Sequence, residues 1–172
     1  ANGTRPGLML FEEVGMFSNL IDSYMASVEC QREGSRKFGT MLFIGTGGDM
    51  SGGGTLDAQK MFYEPENFDC ISFVDEWEHR GRIGYFIPAY KGLHDFKDSE
   101  GNTKIEEDKT YLEKLREKLR LTKGSSAALE GEIVNRPLVP SEMFLQRAGA
   151  IFPVPELREL FSRLENSRAW DL

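Results

Sequence analysis

The chain has 172 residues, 28% of them charged and 40% hydrophobic, with a formal net charge of -7 and a pI near 5.0. That length suits one domain or one and a half and is enough to bury a core. The acidic balance argues against a free-standing DNA-binding module, which is normally basic, while leaving room for a subunit that meets DNA through one small basic patch. Cys30 and Cys70 are too few for a disulfide framework, so a reducing compartment is the expectation. No apolar run approaches the roughly 20 residues that span a bilayer. The opening stretch, Ala1 to Pro6, has neither an initiator Met nor an apolar signal core, so the chain is expected to be a piece of something longer.

In chain order, Leu8-Met9-Leu10-Phe11 is a short unbroken apolar run, the pattern of a strand buried on both faces in a parallel sheet. Glu12 and Glu13 follow at once. Ligands of open parallel sheets bind beyond the carboxyl ends of the strands, and adjacent side chains of a strand leave in different directions. One carboxylate is then placed to face a metal and the other a reacting water, the logic of the acidic strand in P-loop ATPases. The plain alternative is a strand that ends in two solvated glutamates.

Phe17, Leu20, Ile21, Tyr24 and Val28 fall on one face of a helix, and Gly34 lies past its end. A basic, glycine-bearing turn from Arg32 to Gly39 leads into Thr40-Met41-Leu42-Phe43-Ile44, a second apolar run. Strand, helix and strand make one right-handed βαβ unit with both strand ends on the same sheet edge. Gly45 to Gly54 is glycine-rich. A dinucleotide fingerprint would need glycine where Met50 stands, and no Gly-Lys-Ser or Gly-Lys-Thr phosphate loop occurs anywhere in the chain.

Thr55 to Tyr63 reads as a helix ended by Pro65. Phe68–Val74 and Ile83–Ala89 are strand candidates, separated by a charged turn from Asp75 to Arg80. His79 and His94 have no partners at metal-ligand spacing and read as surface residues. Asp98, Glu100, Gly101 and Glu107 imitate part of a calcium loop, but its first ligand position would be Phe96, which excludes calcium. Glu106–Lys123 is a helix with a core stripe of Leu112, Leu115 and Leu119, laced by Glu113–Arg116 and Glu117–Arg120 pairs. A further helix is expected over Ala127–Val134. Pro137 and Pro140 bracket an extended link, with Ser141 capping a short helix to Leu145. A last helix opens at Pro153 and Pro155 and buries Leu157, Leu160, Phe161 and Leu164.

Five stretches agree in order with one family: Leu8 to Glu13, Thr40 to Asp49, Met61 to Pro65, Gly84 to Tyr90, and Pro137 to Phe144. Together they resemble the large terminase subunit of tailed bacteriophages, the DNA-packaging motor. The last stretch is similar to that family's Pro-x-x-Pro-x-Glu-x-Phe segment, and Gly45-Thr46-Gly47-Gly48-Asp49 to its coupling motif. The resemblance implies part of a P-loop NTPase-type parallel sheet over residues 1–66, an α/β core, followed over 67–172 by a smaller mixed α+β linker or lid subdomain. It implies ATP hydrolysis, with Mg²⁺, driving double-stranded DNA into a procapsid. Glu12 would hold the Mg²⁺ through water and Glu13 would be the catalytic base. Thr46, Gly47 and Gly48 would sense the γ-phosphate and pass hydrolysis on.

The implied partners are DNA, the portal protein, the small terminase subunit and further copies in a ring, in the cytoplasm of an infected bacterium. Two departures stand out. The family's phosphate-binding loop precedes the acidic strand and its nuclease region follows this stretch, so the fragment alone is expected to be inactive. The first acid of the family is usually Asp, and Glu12 is one methylene longer. Two other readings remain: an isolated α/β binding or structural module, and an unrelated α/β enzyme using Glu12 and Glu13 as an acid/base pair.

Overall fold

The computed structural model describes residues 5–47, 53–122 and 126–145. The helix expected after Pro153 therefore lies outside the described residues, as do Gly48 and Asp49. Leu8–Phe11 forms strand β1 and Thr40–Phe43 forms β4, with helix α1 at Leu20–Cys30 between them. The two strands are adjacent and parallel, Leu8 beside Thr40 through Phe11 beside Phe43. The βαβ unit is thus present, and the basic turn inside it is a small hairpin of β2, Arg32–Glu33, and β3, Arg36–Lys37. Gly34 takes a φ of 62° in its two-residue loop, a conformation that costs glycine little.

Among the described residues only one face of this strand pair is covered. Phe11 stacks on Phe43 with ring centroids 4.7 Å apart, and Phe43 meets Tyr24 edge-on at 6.0 Å. Leu20, Tyr24, Ala58, Met61 and Phe144 form the buried core on that side. On the other face Leu8 and Leu10 remain 62% and 55% exposed. The expectation of strands buried on both faces is therefore corrected for the described residues. Both apolar runs form strands, and none of the described elements lies over their second face.

Helix α2, Gly53–Tyr63, packs on α1, and the Asp57 carboxylate accepts from the Ile21 amide at α1's first turn, at 3.5 Å. A short 3-10 turn, Pro65–Phe68, follows the helix as the proline requires. The two later strand candidates shrink to β5, Phe73–Val74, and β6, Arg82–Ile83, an antiparallel pair. Upstream, Asp69 takes a left-handed conformation and the Cys70 amide donates to the Pro65 carbonyl, which diverts the chain from a ladder. Downstream, the Gly84 amide donates to the Phe62 carbonyl at 2.6 Å, which ends β6.

The charged turn between β5 and β6 is held by Asp75. Its buried carboxylate accepts from the amides of Trp77, Glu78 and Arg80 at 3.0, 3.0 and 3.2 Å. Helix α3 spans Ile105–Leu121 and α4 spans Ser126–Asn135. The final described turn is a 3-10 helix at Pro140–Phe144, preceded by Val139 rather than capped by Ser141. Its Phe144 inserts beside Phe62 and Tyr63, with centroids 5.8 and 5.7 Å away. Residues on both sides of position 66 therefore share the first core.

Candidate functional site

The carboxyl ends of β1 and β4 converge on one edge, and the register is prolonged past both strands. The Ile44 amide donates to the Phe11 carbonyl at 2.9 Å, and the Val14 amide to the Ile44 carbonyl at 3.1 Å. Between these bonds Glu13 is forced into a left-handed conformation, φ 55° and ψ 47°, before the chain closes into the 3-10 turn Val14–Met16. For a residue with a Cβ this strain is of order 1–3 kcal/mol and persists only where the surroundings impose it. Glu12 and Glu13 are both exposed. Among the described residues neither carboxylate has a hydrogen bond or an ion pair.

The glycine turn after β4 lies directly against this acidic corner. A side chain at Gly45 would come within 2.7 Å of the Val14 nitrogen and 2.9 Å of the Glu13 Cα. A side chain at Gly15 would strike the Thr46 carbonyl oxygen, and one at Gly47 the Met143 carbonyl oxygen. Three backbone layers, 13–16, 45–47 and 142–144, are stacked so closely that only glycine fits at the contacts. Buried Thr55 ties the first layer to α2, its Oγ1 donating to the Gly15 carbonyl at 2.9 Å.

Sequence reasoning singled out Glu12, Glu13, Thr46, Gly47 and Gly48. The fold brings the first four to one edge, and Gly48 lies outside the described residues. Thr46 is exposed and Gly47 buried. His79 and His94 are both exposed, as expected. Among the described residues no group of three or more His, Cys, Asp or Glu gathers as a metal site. Two neighbouring carboxylates are nevertheless the hard oxygen donors Mg²⁺ takes, since it keeps several waters and adds substrate phosphates.

The third layer was not anticipated. Glu142 receives Arg116 of α3 in a two-pronged pair, Nη1 to Oε1 at 2.9 Å and Nη2 to Oε2 at 3.0 Å. The same Nη2 donates to the Arg136 carbonyl at 2.7 Å, and the Leu138 amide donates to Glu142 Oε2 at 2.6 Å. Glu78 Oε2 accepts from the Ser141 amide at 2.9 Å. Arg116 is therefore not the partner of Glu113 that helical spacing suggested. Its position four residues after Leu112, on the core stripe, was the available signal that it faces inward. The expected Glu117–Arg120 pair is present at 3.7 Å.

The polar loop that imitated a calcium site holds itself. Asp98 accepts from the amides of Glu100 and Asn102 at 2.9 and 2.8 Å and from Asn102 Nδ2 at 3.0 Å. The Asn102 side chain, then its amide, keep the Asp98 carboxyl below the usual range.

Compared with known protein families, curated proteins and solved structures, the chain matches none.

Proposed function

We propose that this chain is part of a terminase large subunit, from the acidic strand through the linker or lid subdomain, whose parent hydrolyses ATP to drive double-stranded DNA into a procapsid. The observation that carries this reading is the corner itself. Two consecutive unpartnered glutamates stand at the carboxyl end of a parallel strand pair, against a glycine turn that carries an exposed threonine. The order of the five resembling stretches supplies the family, and the parallel pair is compatible with part of a P-loop NTPase-type sheet. In this reading the parent acts as a ring on a portal protein, with a small terminase subunit, in the host cytoplasm.

Glu12 would hold Mg²⁺ through water, and the ion would offset charge on the transferring phosphoryl group. Glu13 accepts the proton of the attacking water. Its left-handed backbone fixes where that carboxylate starts, and freedom from partners leaves its lone pairs available. Thr46 offers a hydroxyl, and Gly47, with Gly48, a backbone without side chains, to the γ-phosphate. Because Gly47 rests on Met143, a shift of that turn is felt by the 137–145 segment.

The test is made in the longer parent chain. Glu13→Gln keeps the shape of the side chain but cannot take a proton, so hydrolysis should fall about 10²–10⁴-fold while ATP binding persists. Glu12→Gln should instead weaken the dependence on Mg²⁺. Equal and mild effects from both changes would reduce the pair to a solvated strand end.

A further inference from the structure

The hairpin between α1 and β4 gathers charge of one sign. Arg32 stands opposite Lys37 across its ladder, and Arg36 opposite Glu33. Arg5 joins the second pair, donating to the Glu33 carboxylate at 2.8 Å. Four cations thus meet two carboxylates, Glu33 and Asp69, in a chain whose net charge is -7. Lys37 hydrogen-bonds Asp69, which also feels the charge of Arg32. Among the described residues the Arg32 and Arg36 side chains make no hydrogen bond and no contact ion pair, and the Arg32 Nε is buried without an acceptor. Like charges placed directly opposite each other destabilise a ladder. A turn that had only to be solvated has no use for Arg32 facing Lys37.

The hairpin also projects. Residues 33–38 are all exposed, and a side chain added at Gly34 would meet nothing. Its base is clamped. The Phe38 amide donates to the Gln31 carbonyl at 3.1 Å, and buried Gln31 donates through Nε2 to the Thr40 carbonyl at 2.9 Å. A side chain at Gly39 would strike that of Gln31. The ribbon is therefore joined stiffly to the amino end of β4. Glu12 and Glu13 lie beyond the opposite end of the strand pair, four strand residues or roughly 13 Å away. The acidic corner and the basic hairpin do not share an edge.

We propose that the β2–β3 hairpin is a contact for the phosphate backbone of duplex DNA, made by Arg32 on one face of the ribbon and Arg36 on the other. The two faces select the partner. Arg36 and Lys37 are neighbours on one strand, so their side chains leave on opposite faces. Arg32 and Lys37 occupy one face, and Arg36, Glu33 and Arg5 the other. A flat anionic surface such as a membrane meets only one face. The major groove of B-form DNA admits a two-stranded ribbon and carries phosphates along both walls. The major groove of an RNA duplex is deep and narrow, which disfavours the same docking. The proposal rests on the terminase reading for the presence of DNA, but not on the chemistry of the acidic corner.

The experiment is fluorescence anisotropy of a labelled duplex DNA titrated with the intact chain over a salt series, without ATP. Binding should weaken as salt rises. Arg32→Gln and Arg36→Gln should each flatten the slope of log K against log salt by about one, and each should weaken binding at low salt at least about threefold. Arg36→Lys should keep the slope, and Arg120→Gln, on the exposed face of α3, should change neither quantity. Arg36 is exposed and unbonded, so it carries the test if Arg32→Gln disturbs the hairpin. Duplex DNA should shift the amide resonances of 32–37 and leave those of 13–16 in place. A slope that Arg36→Gln does not change would overturn the proposal, as would shifts that avoid the hairpin. Tighter binding at the same salt to duplex RNA, to polyglutamate or to phosphatidylglycerol vesicles would overturn it in favour of that partner. No ATP enters this assay, so its failure counts against the hairpin contact, whereas the Glu13→Gln assay in the parent tests the corner.

Discussion

Glu12 and Glu13 stand in water at the end of β1 with no partner among the described residues, whereas Glu142 has Arg116 on both oxygens and the Leu138 amide on one of them. The first pair keeps its acceptor capacity for something that arrives. The second has used that capacity to fix a turn. The two regions touch: Gly47, at the acidic corner, rests on Met143, the neighbour of Glu142. The molecule thus sets an uncommitted pair of carboxylates on a support braced by a committed one. A short motif containing glutamate does not say which kind it holds; the partners decide.

The largest expected effect breaks the committed side. Arg116 is buried, its side chain 8% exposed, and Arg116→Ala leaves the Glu142 carboxylate with the Leu138 amide but no counter-charge and takes away the donor that Arg116 gives the Arg136 carbonyl. Removing one member of a buried pair typically costs about 3–5 kcal/mol. Urea denaturation should register a loss of that size, against almost none for Glu13→Gln in the same chain. If both substitutions cost the same, the contrast between the regions is wrong.

The junction comes next. Gly47→Ala places a methyl group where the Met143 carbonyl oxygen lies, so one backbone layer must move. Overpacking of this kind costs about 1–3 kcal/mol. The informative readout is where the change appears. Amide chemical shifts should move at 13–16 and at 138–144 together, and hardly at all in the β2–β3 hairpin. Shifts confined to 45–47 would show that the layers are neighbours without being coupled.

How much of this was legible follows from which forces are local. β1, β4 and α1 were legible because an apolar run and a helical stripe are local patterns, and the parallel pairing follows from strand, helix and strand in sequence. The acidic corner was legible as far as Gly47, since both strand ends of a βαβ unit must meet on one edge. The strand expected over 68–74 was not, because the left-handed Asp69 and the Cys70-to-Pro65 bond hold its first half in a turn. Of the strand expected over 83–89 only Ile83 is in a ladder, because the Gly84 amide turns to the Phe62 carbonyl and Ala89 begins a 3-10 turn. Arg116 was assigned to Glu113 on helical spacing, and its real partner lies 26 residues on, beyond any local rule. The contact of Gly47 with Met143 shows in the sequence only as a glycine; its partner is a backbone carbonyl, which no residue type names.

The smallest expected effect sharpens the comparison with an ion pair of a third kind, fully in water. Lys37 of the β2–β3 hairpin donates to the Asp69 carboxylate, and both side chains are more than half exposed. The hydrogen bond from Lys37, then its charge, hold the Asp69 carboxyl below the usual carboxylate range. A folded-state value below the unfolded one contributes stability that is present above the unfolded value and is lost as pH falls through the folded one. The pair should therefore act at neutral pH and disappear on acidification below the usual carboxylate range. Exposed pairs are screened by salt, and buried ones much less. Carbon-detected titration of Asp69 should show a depressed midpoint that rises toward the ordinary value as salt is added. Lys37→Met should remove the depression at low salt. The cost of Arg116→Ala, measured at the same salt concentrations, should hardly change. A midpoint at Asp69 that ignores salt would mean that the hairpin is held against the 65–68 turn by something other than this pair.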